Sequence, residues 1–177
     1  VPHAFSPKEF PDPDCPPHFY AHGHNPQYRH FQHLMRYMNR LCNIFNGGTH
    51  IAPAAILYHG EAEWTGKYMY LQKPARELME NQIDFDILPS DLFTDMKSFN
   101  AGFDGALRVN GEYYRTLVIP YGEYISSSVA LFAAEAAASG FEVIFIDGLP
   151  SGIFDLKNDN DEASALISGL NNCTVLP

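Results

Sequence analysis

Five short apolar runs, each separated from the next by a stretch able to coil, constrain the fold of this chain more than any other feature. They are Ala54–Tyr58 (AAILY), Ile83–Leu88 (IDFDIL), Thr116–Ile119 (TLVI), Val143–Ile146 (VIFI) and Cys173–Leu176 (CTVL). Continuous apolar runs of this length suit strands buried on both faces, whereas IDFDIL alternates and suits a strand with one wet side. Helices are expected between them. Lys67–Asn81 would place Leu71, Ala75, Leu78 and Met79 inward, with Pro74 as a break or kink. Ser126–Ser139 is Ala-rich and stops at Gly140, and Asp161–Leu170 supplies a last helix. Asn110-Gly111 inside ALRVNGEYYRTLVIP is a strong hairpin signal, with Thr116–Ile119 closing its second arm.

Strands joined through helices give right-handed βαβ units and a parallel sheet. The expected fold is therefore α/β: a three-layer flavodoxin-like (Rossmann-like) parallel sheet, order 2-1-3-4-5, with a β-hairpin insertion. In that order the chain reverses between the first and third strands, and ligands bind outside the carboxyl ends of the strands at such a point. The loops there are His59–Gly66 and Tyr121–Tyr124.

The region before the first strand divides in two. Residues 1–26 hold Pro2, Pro7, Pro11, Pro13, Pro16, Pro17 and Pro26 with little periodicity, so an extended arm is expected. From Gln27, apolar Phe31, Leu34, Met35, Met38, Leu41, Cys42 and Phe45 recur at three- and four-residue steps and end at Gly47-Gly48, which predicts an amphipathic helix. The expected division is an arm over 1–26 and a domain over 27–177. The chain opens on Val1 in a Pro-rich tract and reads as part of something larger.

Composition narrows the function classes. A formal charge of -10 disfavours a nucleic-acid backbone or an anionic membrane as partner. Cys15, Cys42 and Cys173 are odd in number and lack CxxC spacing; this fits a reducing, cytoplasmic setting and neither a disulfide framework nor a zinc ribbon. No G-x-S-x-G elbow, Walker A sequence or G-x-G-x-x-G fingerprint is present. No cofactor is expected.

The candidate chemistry centres on ILYHGEAEWTG. Glu61 and Glu63 lie about 7 Å apart between Cα atoms if the loop is extended, a spacing compatible with the paired carboxyl groups of glycosidases, about 5 Å apart for retention or 6.5–9.5 Å for inversion. Carboxylates at a helix start, favoured there by the macrodipole, have the same sequence signature. Trp64, the only tryptophan, suits either stacking on a sugar or covering the sheet end. Tyr121, Glu123 and Tyr124 would face the same crevice. The spacing of His22 and His24, and of His30 and His33, permits zinc, but no acidic or cysteine ligand accompanies them, so a packed polar arm is the plainer reading. Asp84 and Asp86 are expected on an exposed strand face. Asp155–Glu162 (DLKNDNDE) lacks the glycine and distal glutamate of a calcium loop.

Several stretches in order (LYH.E.EW after a strand, QIDFDIL, a hairpin into YRTLVIPYGEYIS, and SGFEVIFI) together resemble the class I glutamine-amidotransferase-like domain of multidomain glycoside hydrolases, in particular the trimerisation-type domain of a β-galactosidase family. The resemblance covers roughly Tyr28 to Pro177. It implies a preceding catalytic barrel, with DPDCPPHFYAHGHNPQY as its tail, and a homo-oligomer acting on carbohydrate. True amidotransferases carry a nucleophilic Cys in an elbow after a late strand; here that place is Ile146-Asp147-Gly148-Leu149-Pro150. The resemblance thus implies a non-catalytic accessory domain, with His59, Glu61, Glu63, Trp64, Tyr121 and Glu123 as substrate-binding rim residues and no catalytic or metal-binding residue. A self-contained hydrolase using Glu61 and Glu63, or a sugar-binding module, are the rival readings.

Overall fold

The segment FQHLMRYMNRLCNIF lacks Gly, Pro and acidic residues, and its apolar positions repeat with helical period. In the structure, a computed structural model that describes residues 25–156 and 160–177, it forms helix α1 (Phe31–Phe45). A 3-10 turn at Tyr28–His30 leads in. Gly47, at φ 76°, follows the helix end, where glycine takes the left-handed conformation without a Cβ clash. The helix belongs to a first compact unit, residues 1–49; residues 50–177 form a second. The histidine pair His22/His24, and His18, lie outside the described residues.

In the second unit the chain runs β1 (Ala54–Tyr58), α2 (Ala62–Thr65), α3 (Gln72–Glu80), β2 (Phe85–Pro89), α4 (Asp91–Thr94), β3 (Ala101–Phe103), β4 (Leu107–Val109), β5 (Glu112–Tyr114), β6 (Thr116–Ile119), β7 (Tyr124–Ile125), α5 (Ser127–Ala138), β8 (Glu142–Ile146), β9 (Gly152–Ile153), α6 (Asn160–Gly169) and β10 (Thr174–Leu176). Five of these strands make one sheet, in the order β2-β1-β6-β8-β10, every pair parallel. Counted among themselves the five run 2-1-3-4-5. The detail differs from a bare flavodoxin-like succession because five further short strands are interposed along the chain. Three of them form an antiparallel sheet, β3-β4-β5, and β7 pairs with β9.

The expected hairpin is β4–β5, closed by Asn110 and Gly111, both at positive φ as its two-residue turn requires. Its second arm stops at Tyr114. Thr116–Ile119 leaves it for the large sheet, where Leu117, Val118 and Ile119 are buried. The third strand, AGF, was not anticipated.

Local chemistry accounts for the helix limits. Helix α3 begins at Gln72, five residues later than the apolar spacing suggested, and this places Pro74 in the first turn, where its missing N–H has no intrahelical partner to lose. Ser126 caps α5 by accepting from the Val129 N–H at 3.3 Å. At the other end Gly140, at φ 90°, closes a Schellman turn: the Phe141 N–H donates to the Ala136 carbonyl and the Gly140 N–H to that of Ala137.

The two faces of the sheet are unequally covered. On one, Ala55, Leu57, Leu117, Ile119, Val143 and Phe145 are buried against a core that includes Val129, Ala130, Phe132 and Ala133 of α5. There Phe132 meets Phe93 of α4 and Phe103 of β3, at ring-centroid distances of 4.7 and 5.4 Å, which ties the antiparallel sheet to the core. On the other face α3 lies beside Val118, Ile144, Ile146 and Leu176, separated from them by an open cleft.

Candidate functional site at the carboxyl ends of the strands

Strands β1, β2 and β6 end together, and the polypeptide turns sharply after each. After β1 the chain enters α2 directly, so Glu61 and Glu63 lie on one helical turn and not on extended chain: Glu61 is the N-cap and Glu63 is in the first turn. A two-residue step around a helix points the side chains apart. Glu61 turns inward, and the Ser90 hydroxyl at the end of β2 donates to its Oε1 at 2.6 Å. Glu63 and Trp64 turn outward; Trp64 is 86% exposed.

His59 sits behind Glu61. Its Nε2 lies 3.2 Å from the Tyr121 carbonyl oxygen. A carbonyl only accepts, so Nε2 carries the proton and Nδ1 is the bare nitrogen. Nδ1 is buried and has no hydrogen-bond partner. Burial lowers the imidazole pKa below its ordinary 6.5, outweighing the Tyr121 and Leu57 carbonyls and the charges of Glu61 and Glu63, which favour the cation. His59 is therefore a neutral wall residue. With Leu57, Glu61, Ser90, Tyr124 and Ser126 it lines a small cavity of about 10 Å³, room for one water at most.

Tyr121 and Glu123 take part by other atoms than the sequence suggested. The Tyr121 carbonyl receives His59 and also the Met69 N–H, at 2.8 Å. The Glu123 carboxylate accepts the Lys67 N–H at 2.8 Å, while its own N–H donates to the Lys67 carbonyl at 2.7 Å. Glu123 thus clamps the crossover from α2 to α3. Gly66 is required beside it, since a Cβ there would stand 2.8 Å from Glu123 Oε2 and 2.9 Å from its Cβ. These bonds hold residues 67–69 extended where the apolar spacing predicted helix.

What remains open to a ligand is a rim of aromatic rings. Tyr58 and Tyr70 are 49% and 57% exposed. Tyr68 and Tyr70 meet edge to face at 5.1 Å, the Tyr68 hydroxyl donating to that of Tyr70 at 3.1 Å. This bond raises the Tyr68 pKa, and the charge of Glu63 adds to the effect. Trp64, Tyr68, Tyr70 and Glu63 belong to one segment, and apart from the Tyr68–Tyr70 bond no hydrogen bond among the described residues occupies their side-chain polar atoms. The sequence does not single out Tyr68 and Tyr70, because the apolar spacing over Lys67–Asn81 predicts helix there. Nor does it single out Ser90 and Ser126, because a serine after a strand is common.

Past β8, Asp147 stands in the left-handed region at φ 62°, followed by Gly148 at φ 133°. The chain bends there. The apical residue is an exposed aspartate whose N–H donates to the Leu176 carbonyl at 2.7 Å. Cys173 is half-buried, and burial pushes its thiol up to about 11, so it is protonated and unreactive at neutral pH. Cys42, placed by its spacing on the apolar stripe, is exposed. Among the described residues no three His, Cys, Asp or Glu side chains gather as a metal site, and no helix is long and apolar enough to cross a membrane.

The class defined so far is a parallel α/β domain with a polar crevice and an aromatic rim at the carboxyl ends of its strands. Comparison of the chain with protein-family models, with curated proteins and with solved structures returns no match.

Proposed function

We propose that the chain is a non-catalytic accessory domain of a glycoside hydrolase, which contributes to oligomer assembly and offers its aromatic rim as one wall of a carbohydrate site. The observation that carries this reading is the division of labour among the acidic groups. Glu61 is bonded to Ser90 and Glu123 to the Lys67 backbone, whereas Glu63 stands free beside exposed aromatic rings. Paired catalytic carboxylates must both reach the scissile bond from opposite sides, and here only one of the three is available. A flat, exposed indole near a carboxylate is suited instead to the apolar face and hydroxyl edge of a pyranose.

The test uses the sole tryptophan as its own reporter. Titration with mono- and disaccharides should shift Trp64 fluorescence and release heat with a dissociation constant of about 1 mM, some 4 kcal/mol, while aryl glycosides remain uncleaved. Trp64→Ala should remove the heat. Turnover of an aryl glycoside that Glu63→Gln abolishes would replace this reading with a self-contained hydrolase. Saturable sugar binding by a strictly monomeric chain would favour a plain sugar-binding module.

A further inference from the structure

Parallel sheets are buried on both faces, because the crossover helices cover them. Here one face is sealed and the other is not. Ala55, Leu117, Val143 and Phe145 on the first are at most 1% exposed, whereas Leu176 on the second is 44% exposed and Ile144 and Ile146 are only half-buried. Between α3 and strands β6, β8 and β10 lies a cleft of about 610 Å³ with an apolar floor of Val118, Ile144, Ile146 and Leu176. The open face runs on to an open edge. Of the two outer strands, β2 carries Asp86 and Pro89, residue types that guard an edge against pairing with another chain. Strand β10 is Thr174-Val175-Leu176, uncharged and exposed along its length.

The charges around this surface are balanced. Lys73 and Arg76 line the cleft, and so do Glu77 and Asp147; all four are exposed. Among the described residues no ion pair engages Lys73, Glu77 or Asp147, and Arg76 meets only Glu80, at 3.3 Å and largely in solvent, a pairing that holds either partner weakly. Two cations against two carboxylates cancel, in a chain whose net charge is -10. That balance selects the occupant. Copies of so acidic a chain repel one another over most of their surface, and the cost of contact is lowest where the local charge vanishes. A strongly charged partner of either sign would meet as much repulsion here as attraction. A second copy turned about a two-fold axis brings the same patch against itself, so that each cation can meet a carboxylate and each carboxylate a cation.

We propose that this surface is the contact with a second copy of the chain: an isologous two-fold interface in which Ile144, Ile146 and Leu176 of one copy cover those of the other, and Lys73 and Arg76 of each copy face Glu77 and Asp147 of its partner. The inference rests on the assembly half of the reading above and supplies its surface and symmetry. It is independent of the carbohydrate half, since sugar titration and self-association succeed or fail separately.

The experiment measures the mass of the full chain by sedimentation over a range of concentrations. Twice 19.8 kDa is expected, with an association that weakens as salt is added. Leu176→Asp, at an exposed position, should leave a folded monomer. Two charge variants then test the complementarity. Lys73→Glu/Arg76→Glu makes the surface wholly acidic, and Glu77→Lys/Asp147→Asn makes it basic, asparagine being chosen because it accepts the left-handed conformation at 147. Each variant alone should have a dimer dissociation constant more than about tenfold above that of the native chain, because like charges then face each other. An equimolar mixture of the two should recover the dimer. A native chain that stays monomeric overturns the inference and the assembly reading together. An oligomer that none of these variants disturbs, or a mixture that does not re-associate, overturns the inference alone and leaves the assembly reading standing.

Discussion

If Glu61 is a structural carboxylate, its energy is tied to Ser90. The Ser90 hydroxyl donates to Glu61 Oε1 at 2.6 Å, and both residues are half-buried. A hydrogen bond to an ionised group contributes about 1.5–3 kcal/mol, of which solvent access removes part, so a coupling of about 1–1.5 kcal/mol is expected. The measurement is a double-mutant cycle of Glu61→Ala, Ser90→Ala and the double variant, followed by urea unfolding at pH 7. Far-UV circular dichroism is the signal of choice, because Trp64 is 86% exposed and would report unfolding poorly. Each single variant should lower the midpoint with the slope unchanged, and the double variant should lie short of their sum. Glu61→Gln should keep sugar binding intact and lose about 0.5–1 kcal/mol, since the amide oxygen still accepts but without charge. A coupling below about 0.3 kcal/mol, the scatter expected of independent sites, together with loss of sugar binding in Glu61→Gln, would refute the argument. Glu61 would then serve the ligand and not the fold.

The fold was legible where burial dictates composition. The central strands β1 and β6 announce themselves as apolar runs, because a strand covered on both faces tolerates little else, whereas the edge strand β2 shows itself by alternation. The Asn-Gly turn was equally plain, since few dipeptides accept two positive φ values. Helix α1 was legible from its period, and α5 from its alanines and Gly140. The failures are contacts made at a distance. Nothing near Glu123 in sequence says that its carboxylate will bind a backbone N–H fifty-six residues away, nor that this bond will hold Lys67–Met69 extended. No cation lies near Asp86 in sequence, so an exposed position is expected. In the structure it accepts from the Tyr114 hydroxyl at 2.8 Å and meets His50 Nε2 at 3.1 Å. The convergence of the loops followed from topology, as the ends of β1 and β6 do lie side by side. The direction each side chain takes did not, because one helical turn at α2 separates Glu61 from Glu63, and a four-residue helix leaves too short a pattern to recognise.

Gly66→Ala should destabilise the chain by about 1–3 kcal/mol, by driving a methyl against Glu123 and breaking its bond to Lys67; a variant with unchanged urea midpoint would show that the crossover relaxes freely. Phe132→Ala removes the ring that joins α4, α5 and β3, and should cost about 3–5 kcal/mol, against well under half of that for Phe132→Leu. Tyr114→Phe should cost about 1 kcal/mol, and its near-neutrality would mean that Asp86 contributes nothing to the fold. His59 makes a prediction about pH. Burial holds its pKa below 6.5 in the folded chain, so the unfolded chain binds the proton more readily. Stability from this residue is complete above pH 6.5 and declines as the pH falls toward the lowered value, since protons then favour the unfolded state. Urea midpoints compared between pH 7.5 and 5.5 should therefore fall further for the native chain than for His59→Gln, whose amide can still donate to the Tyr121 carbonyl but does not titrate. Equal declines would mean that the imidazole is protonated in place, with its Nδ1–H directed at the Leu57 carbonyl, and that the crevice is wetter than its burial implies.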